Sequence, residues 1–502
     1  MSTTARSRGV LWVCTIMLFA YFAVRMLSLT AFPPFLDEVV HVRQAEQSLA
    51  ISPVAFAAEG RLFTLWLHMI FRPHQAGTIW LMRIVHILAI LPGFAAAVAV
   101  GRSVAGRTGV LMAGFVLLAS PLHIFFERLA LADPLASAWI IVAVFFALRS
   151  TERFHWLGAM ACGLALFVAI MFKATVIPAL VMVPLAAVSL FRGGTRLGPR
   201  VRWLMYASMP VLILLPLVVI ALRIANQDHF AFISQYTAMA RTSLAERLAP
   251  NLALVAEQFG IYLLPMLLGL TLVLFYTASR GKWRADQPFA RSENVRRTTV
   301  FVSLLLLTML VAYTVNERLY TRYLILPASL FLLMLAAMVA PRLGPVRVRG
   351  SRIALVVLIG VALLYPTAFT LLAYNRPAAM PLSVADFREY VTSSASGFGL
   401  AEAVELLLQY QPTRVIGVLA NCQGLRFLAG ESFAVECPPT NPSGADRDRL
   451  SAMMEQSRLP GVYVLHEPLP FVPASVPGRV IASFARPGGS ETLTIYEVGR
   501  ED

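Results

Sequence analysis

Phe32-Pro33-Pro34-Phe35-Leu36-Asp37-Glu38 follows a long apolar run, at the point where that run must leave a membrane. The Pro-Pro pair stops the preceding helix, because proline lacks an N–H and restricts the residue before it. Two carboxylates then stand side by side at a membrane surface, in a chain only 14% charged. Carboxylates are costly in or near hydrocarbon, so an acidic pair at this depth is a candidate functional site; a solvated loop with two adjacent acids is the plainer alternative.

Working outward, the preceding run, Val10 to Leu29, has about the 20 residues that a membrane span requires. It is too long for a signal peptide and no small-residue cleavage site follows it, so it reads as a retained first helix with its N-terminus inside. The whole chain of 502 residues is 58% hydrophobic with mean hydropathy +0.71, which places it among polytopic membrane proteins. Its net charge of +15 does not indicate nucleic acid. The arginines sit in short loops between apolar runs, as the positive-inside rule requires. There is no C-x-x-C, H-E-x-x-H or Walker-type loop to suggest a structural zinc site, a zinc protease or an ATPase.

Read in this way, residues 1–374 form a transmembrane domain of about eleven helices, with a first outer loop over 32–77. Arginine-rich loops such as 101–108, 191–202, 280–297 and 341–352 fall inside. Residues 375–502 are different in composition. An amphipathic helix over 400–410 is followed by apolar runs at 414–419 and 461–465, which predicts a small α/β domain on the outer side. Cys422 and Cys437 lie in it and can pair if that side is oxidising.

With this topology Asp37, Glu38, Glu127, Arg128, Asp133, Lys173, Glu317, Arg318 and Arg322 all come to the outer face. Isolated charges at span ends are often snorkelling anchors, but acids and bases gathered at one face suit a reaction. A carboxylate can take a proton from an acceptor hydroxyl, and Lys or Arg can hold a phosphate leaving group. Asp37 and His41, four residues apart, are too few ligands to assign a metal.

Several stretches resemble the GT-C glycosyltransferases, in particular the branch of the protein O-mannosyltransferases and the lipid A aminoarabinose transferase. Pro33-Pro34-Phe35-Leu36-Asp37-Glu38, with His41 and Ala45 one and two turns on, is similar to the first-loop motif. Arg128 to Leu135 looks like the second-loop acidic motif, and Phe172-Lys173-Ala174-Thr175 with Pro178 like the lysine at the outer end of a span. Arg318 and Arg322-Tyr323-Leu324-Ile325-Leu326-Pro327 look like the late Arg-Tyr…Pro turn, and Ser396 to Leu400 like the start of the outer domain in many bacterial members.

The resemblance implies an inverting transfer of a sugar from a polyprenyl-phosphate carrier, at the outer face of a bacterial inner (plasma) membrane, with no nucleotide and no nucleic acid involved. Asp37 would be the base, Glu38 its support, and Asp133 an organiser of the site. Lys173, Arg322 and Arg318 would bind the donor phosphate. His41, Glu127, Arg128, Glu317 and Tyr323 are further site candidates. The acceptor would be a lipid, an envelope glycan or a protein. The alternative function is a secondary transporter or flippase for a lipid-linked or anionic substrate. A transporter would place its charges near the bilayer midplane and often show repeated halves.

Overall fold

The computed structural model describes residues 3–71, 79–152, 154–191, 197–228, 230–231, 243–277, 293–315, 319–342, 349–438, 461–467, 478–489 and 491–498. Among them the chain divides into two compact units. The first comprises Met1–Leu27, Ser48–Leu67 and Arg83–Ala373; the second comprises Ser28–Gln47, His68–Met82 and Tyr374–Asp502.

The helices in chain order begin with α1 (Thr3–Met26), α2 (Leu36–Ile51), α3 (Leu62–Phe71), α4 (Ile79–Leu118), α5 (Pro121–Phe126), α6 (Ala132–Glu152) and α7 (Trp156–Phe172). They continue with α8 (Ala179–Ser189), α9 (Leu197–Ile224), α10 (Leu244–Tyr262), α11 (Leu264–Thr277), α12 (Glu293–Thr314), α13 (Ile325–Val339) and α14 (Arg349–Asn375). Six described helices are long and apolar enough to cross a membrane, and a seventh span results if the bent pair α10 and α11 counts as one. Shorter apolar helices at Leu62–Phe71, Trp156–Phe172, Ala174–Ser189 and Ile359–Asn375 accompany them. The protein is an integral membrane protein. Leu212, Leu217 and Ile220 of α9 are exposed, and exposed aliphatic groups on an apolar helix of span length suit contact with lipid. Helix α6 is largely buried instead, apolar on all sides and packed on α7 and α13, as a helix at the centre of a bundle must be.

Local breaks follow the sequence. Helix α4 leaves helical geometry at Ala105 and Gly106, where Gly106 adopts φ +57°, a conformation that favours glycine. Gly101 and Gly109 then abut, and a Cβ on either would collide with the other's backbone. The 40-residue helix is therefore a tight helical hairpin, turning inside the predicted loop 101–108. Helix α7 stops at Lys173, whose backbone is extended.

The second unit carries α15 (Leu400–Tyr410), α16 (Cys422–Ala429) and five strands, β1 (Arg414–Val418), β2 (Ala434–Glu436), β3 (Val462–His466), β4 (Arg479–Ala485) and β5 (Thr492–Val498). The sheet order is β2-β1-β3-β5-β4. Strands β2, β1 and β3 are parallel, and β5 is antiparallel to both β3 and β4. Strands β1 and β3 read as continuous apolar runs because both of their faces are covered. Val415 and Leu465 meet Leu400, Leu407 and Leu425 on one side, while Ile416 and Val464 pack on the other. Cys422 and Cys437 form a disulfide, with their Cα atoms 5.6 Å apart.

Candidate active site

Within the second unit, the Pro33-Pro34 break delivers the chain into α2, with Asp37 and Glu38 in its first turn. Carboxylates there are favoured by the helix dipole. Glu38 is fully buried, and its carboxylate accepts the Phe35 backbone N–H at 3.0 Å. It thereby closes the start of the helix that presents Asp37. The segment is fixed from the C-terminal side as well. Leu36 N–H donates to the Ala395 carbonyl at 3.1 Å, and the Asn421 amide donates to the Pro34 carbonyl at 3.1 Å. Phe35 packs on Tyr390 and Phe32 on Phe398. A Cβ at Gly397 would collide with the Pro34 carbonyl, which accounts for glycine in the Ser396-Gly397-Phe398 stretch. His41 is buried edge-on to His68, with ring centroids 5.9 Å apart. Among the described residues no three His, Cys, Asp or Glu side chains gather as a metal ion would need.

Within the first unit, Asp133 opens α6 and stands between two cations. Lys173 Nζ hydrogen-bonds to its Oδ1, and Arg322 Nε lies 3.6 Å from its Oδ2. Aromatic rings cover the cations: Lys173 Nζ is 4.2 Å from the Tyr323 ring centroid, and the Arg322 guanidinium 4.6 Å from that of Tyr320. All three charged side chains are about nine-tenths buried. Lys173 is held by its neighbours on both sides. Phe172 C=O accepts the Thr64 hydroxyl at 3.0 Å, and Ala174 N–H donates to the Gly60 carbonyl at 2.8 Å. Arg322 sits in the short turn Thr321–Leu324 that leads into α13. A Lys, an Arg and a carboxylate at one spot leave one net positive charge, which suits a singly charged phosphodiester.

No protein-family model and no curated protein sequence matches the chain. Solved structures do. ArnT, the lipid A aminoarabinose transferase, from Cupriavidus metallidurans in the apo state aligns with 99% of this chain and 100% of its own, at 16% identity and TM-score 0.58. The same protein bound to undecaprenyl phosphate aligns over 100% of both chains, at 15% identity and TM-score 0.55. The chain has the GT-C fold.

In this GT-C fold Glu127 and Arg128 hold α1. Glu127 pairs with Arg25 at 2.5 Å and accepts the Tyr21 hydroxyl at 2.6 Å, while Arg25 also donates to the Leu117 carbonyl at 3.0 Å. Arg128 donates to the Leu27 carbonyl at 2.8 Å. His123, bridging Ser120 and Ser329 at 2.8 Å each, lines the same small interior void as Glu127, about 20 Å³ in volume. Glu317 and Arg318 lie outside the described residues. Sequence reasoning missed Arg25, Tyr320, Thr64 and Asn421. Arg25 carried a usable signal, since a cation at the end of an apolar run needs a partner. Tyr320, Thr64 and Asn421 carried none, because their roles come from contacts distant in the chain.

Proposed function

We propose that this protein is an inverting glycosyltransferase that moves a sugar from a polyprenyl-phosphate carrier to an acceptor hydroxyl on the outer side of the membrane. The observation that carries the reading is the buried Lys173–Asp133–Arg322 cluster, in a chain with the fold of a transferase that has been seen with undecaprenyl phosphate. In this reading Lys173 and Arg322 hold the donor phosphate, with Arg318 adding to them, and Asp133 keeps both cations aligned. Asp37 removes the acceptor proton as general base. The acceptor oxygen bonds to the anomeric carbon, the bond from that carbon to the phosphate oxygen breaks, and its electron pair leaves with the phosphate. The anomeric configuration inverts because attack and departure occur on opposite faces. The leaving phosphate carries more negative charge than the bound diester, so the cations bind the products of bond breaking more strongly than the ground state, which is what lowers a barrier. Glu38 serves by fixing the start of α2, and an envelope glycan or glycolipid is the favoured acceptor.

The topology in this proposal has about eleven passes, with the bent pair, both arms of α4 and the shorter apolar helices Trp156–Phe172, Ala174–Ser189 and Ile359–Asn375 counted, Leu62–Phe71 left in the outer loop 32–77, the N-terminus inside and residues 375–502 outside.

The test is binding and turnover in nanodiscs with a panel of polyprenyl-phosphate sugars. Wild type is expected to bind and consume one donor. Asp37→Asn should retain binding and lose at least a hundredfold in turnover, the lower range for a general base. Lys173→Ala should weaken donor binding. Turnover by Asp37→Asn at the wild-type rate would overturn the assignment of the base. Transport of the lipids without any transfer would favour the transporter instead.

A further inference from the structure

Helix α2 has two functional faces. At about 100° per residue, Asp37, His41, Gln44 and Ser48 fall within one sector of about 60°. Arg43 and Glu46 lie on the opposite side and, with Gln47 on the flank between, front a cleft of about 210 Å³, whose other wall is α16 with its C-terminal turn. That wall presents Gln423, Arg426 and Glu431, and Val39, Val42 and Phe427 supply apolar surface. The walls are joined at one end. Asn421 caps α16 by accepting the Gly424 N–H at 3.1 Å, and the same side chain donates to Pro34, just before α2, and to Ala395 at 3.2 Å. The Cys422–Cys437 disulfide fixes the first residue of α16 as well. A cleft built in this way is organised before anything binds, which reduces the entropy cost of binding.

Its chemistry is specific. Two guanidinium groups, two carboxylates and two amides face the space. Each is planar and offers two hydrogen-bonding atoms at a fixed spacing, which matches neighbouring hydroxyls on a sugar ring. The charges balance, so a free anion would meet as much repulsion as attraction. The apolar side chains suit the C–H face of a ring. Burial, and next the charge of Arg426, hold Arg43 below its ordinary value while Glu46 opposes them, so the two arginines sense each other across the cleft.

We propose that this cleft is a carbohydrate subsite, holding a neutral sugar unit of a glycan acceptor at a distance from the reacting hydroxyl. Its role as an acceptor subsite rests on the glycosyltransferase reading; its ability to bind a glycan does not. A glycan engaging both faces of α2 must span roughly a helix diameter, about 10–12 Å, so the acceptor is an oligosaccharide and not a single sugar.

The experiment is saturation-transfer NMR and calorimetry on the full chain in nanodiscs, with neutral oligosaccharides of graded length and inorganic phosphate as the anionic probe. The expected result is binding of at least one neutral oligosaccharide, tightening with length and indifferent to phosphate. Glu46→Gln and Arg426→Gln should each weaken it by about tenfold. Both residues are surface-exposed, so these variants are expected to fold, and an unchanged thermal transition verifies it. The subsite is overturned if no neutral oligosaccharide binds, if phosphate competes with it, or if binding ignores both substitutions. If the glycan binds but no donor is ever consumed, the subsite stands and the glycosyltransferase reading falls.

Discussion

Asp133 makes a demanding set of contacts for one side chain, because it offsets two buried cations at once. Replacing it by Asn leaves Lys173 and Arg322 without a counter-charge, and breaking a buried pair of this kind costs about 3–5 kcal/mol. A bound phosphate would supply the missing negative charge. Undecaprenyl phosphate should therefore raise the melting temperature of Asp133→Asn more than that of wild type, and raise that of Lys173→Ala least. Thermal unfolding in detergent with and without the lipid measures this, and equal shifts in all three proteins would remove the phosphate from this cluster. The five charged residues central to the proposed chemistry, Asp37, Glu38, Asp133, Lys173 and Arg322, stood out in the sequence because charge at a span end is costly. Which of them touch each other did not. Asp133 and Lys173 are 40 residues apart, and nothing local in either stretch specifies the contact. Glu38 and Asp37, adjacent in sequence, have different surroundings because Glu38 turns back to the Phe35 amide.

At the scale of elements, α1 is tied to α4 and to the turn after α5 through Arg25, Glu127, Tyr21 and the Leu117 carbonyl. Glu127→Gln leaves the fully buried Arg25 charged and unbalanced, and should destabilise the protein by about 3–5 kcal/mol. The double variant Arg25→Leu/Glu127→Leu should recover most of that loss, because a well-packed apolar pair often replaces a buried ion pair at little cost. Chemical denaturation of the three variants distinguishes this from a catalytic role: if Glu127→Gln keeps full stability but loses turnover, the residue belongs to the chemistry. Elements with a local signature were legible. Helix α15 occupies the residues that its amphipathic pattern predicted, and β1 and β3 lie on the two quoted apolar runs. The order β2-β1-β3-β5-β4 was not legible, since strand pairing depends on partners far along the chain. The sequence of the α4 hairpin predicts two spans with a loop, but the close approach of Gly101 to Gly109 is a matter of packing that no periodicity reveals.

For the whole molecule the decisive expectation is orientation. Glu402 on α15 and Arg102 in the α4 turn are both exposed, and the proposed topology puts them on opposite sides of the membrane. In intact cells a membrane-impermeant thiol reagent should label Glu402→Cys, and should label Arg102→Cys only after permeabilisation. The reverse pattern would invert the topology and with it the side on which transfer occurs. The disulfide has a consequence of another kind. Its two cysteines are 15 residues apart and tie the start of α16 to the end of β2, a strand of three residues at the edge of the sheet. The other two cysteines, Cys14 and Cys162, sit in apolar helices. Biosynthesis thus has two stages with different requirements. The membrane helices can pack as soon as they are inserted, whereas the edge of the sheet matures only where an oxidant is present. Material made in a reducing compartment would have its spans in place and β2 held by its ladder to β1 and the packing of Val435 on the core, an immature form that differs from the finished protein by two hydrogen atoms.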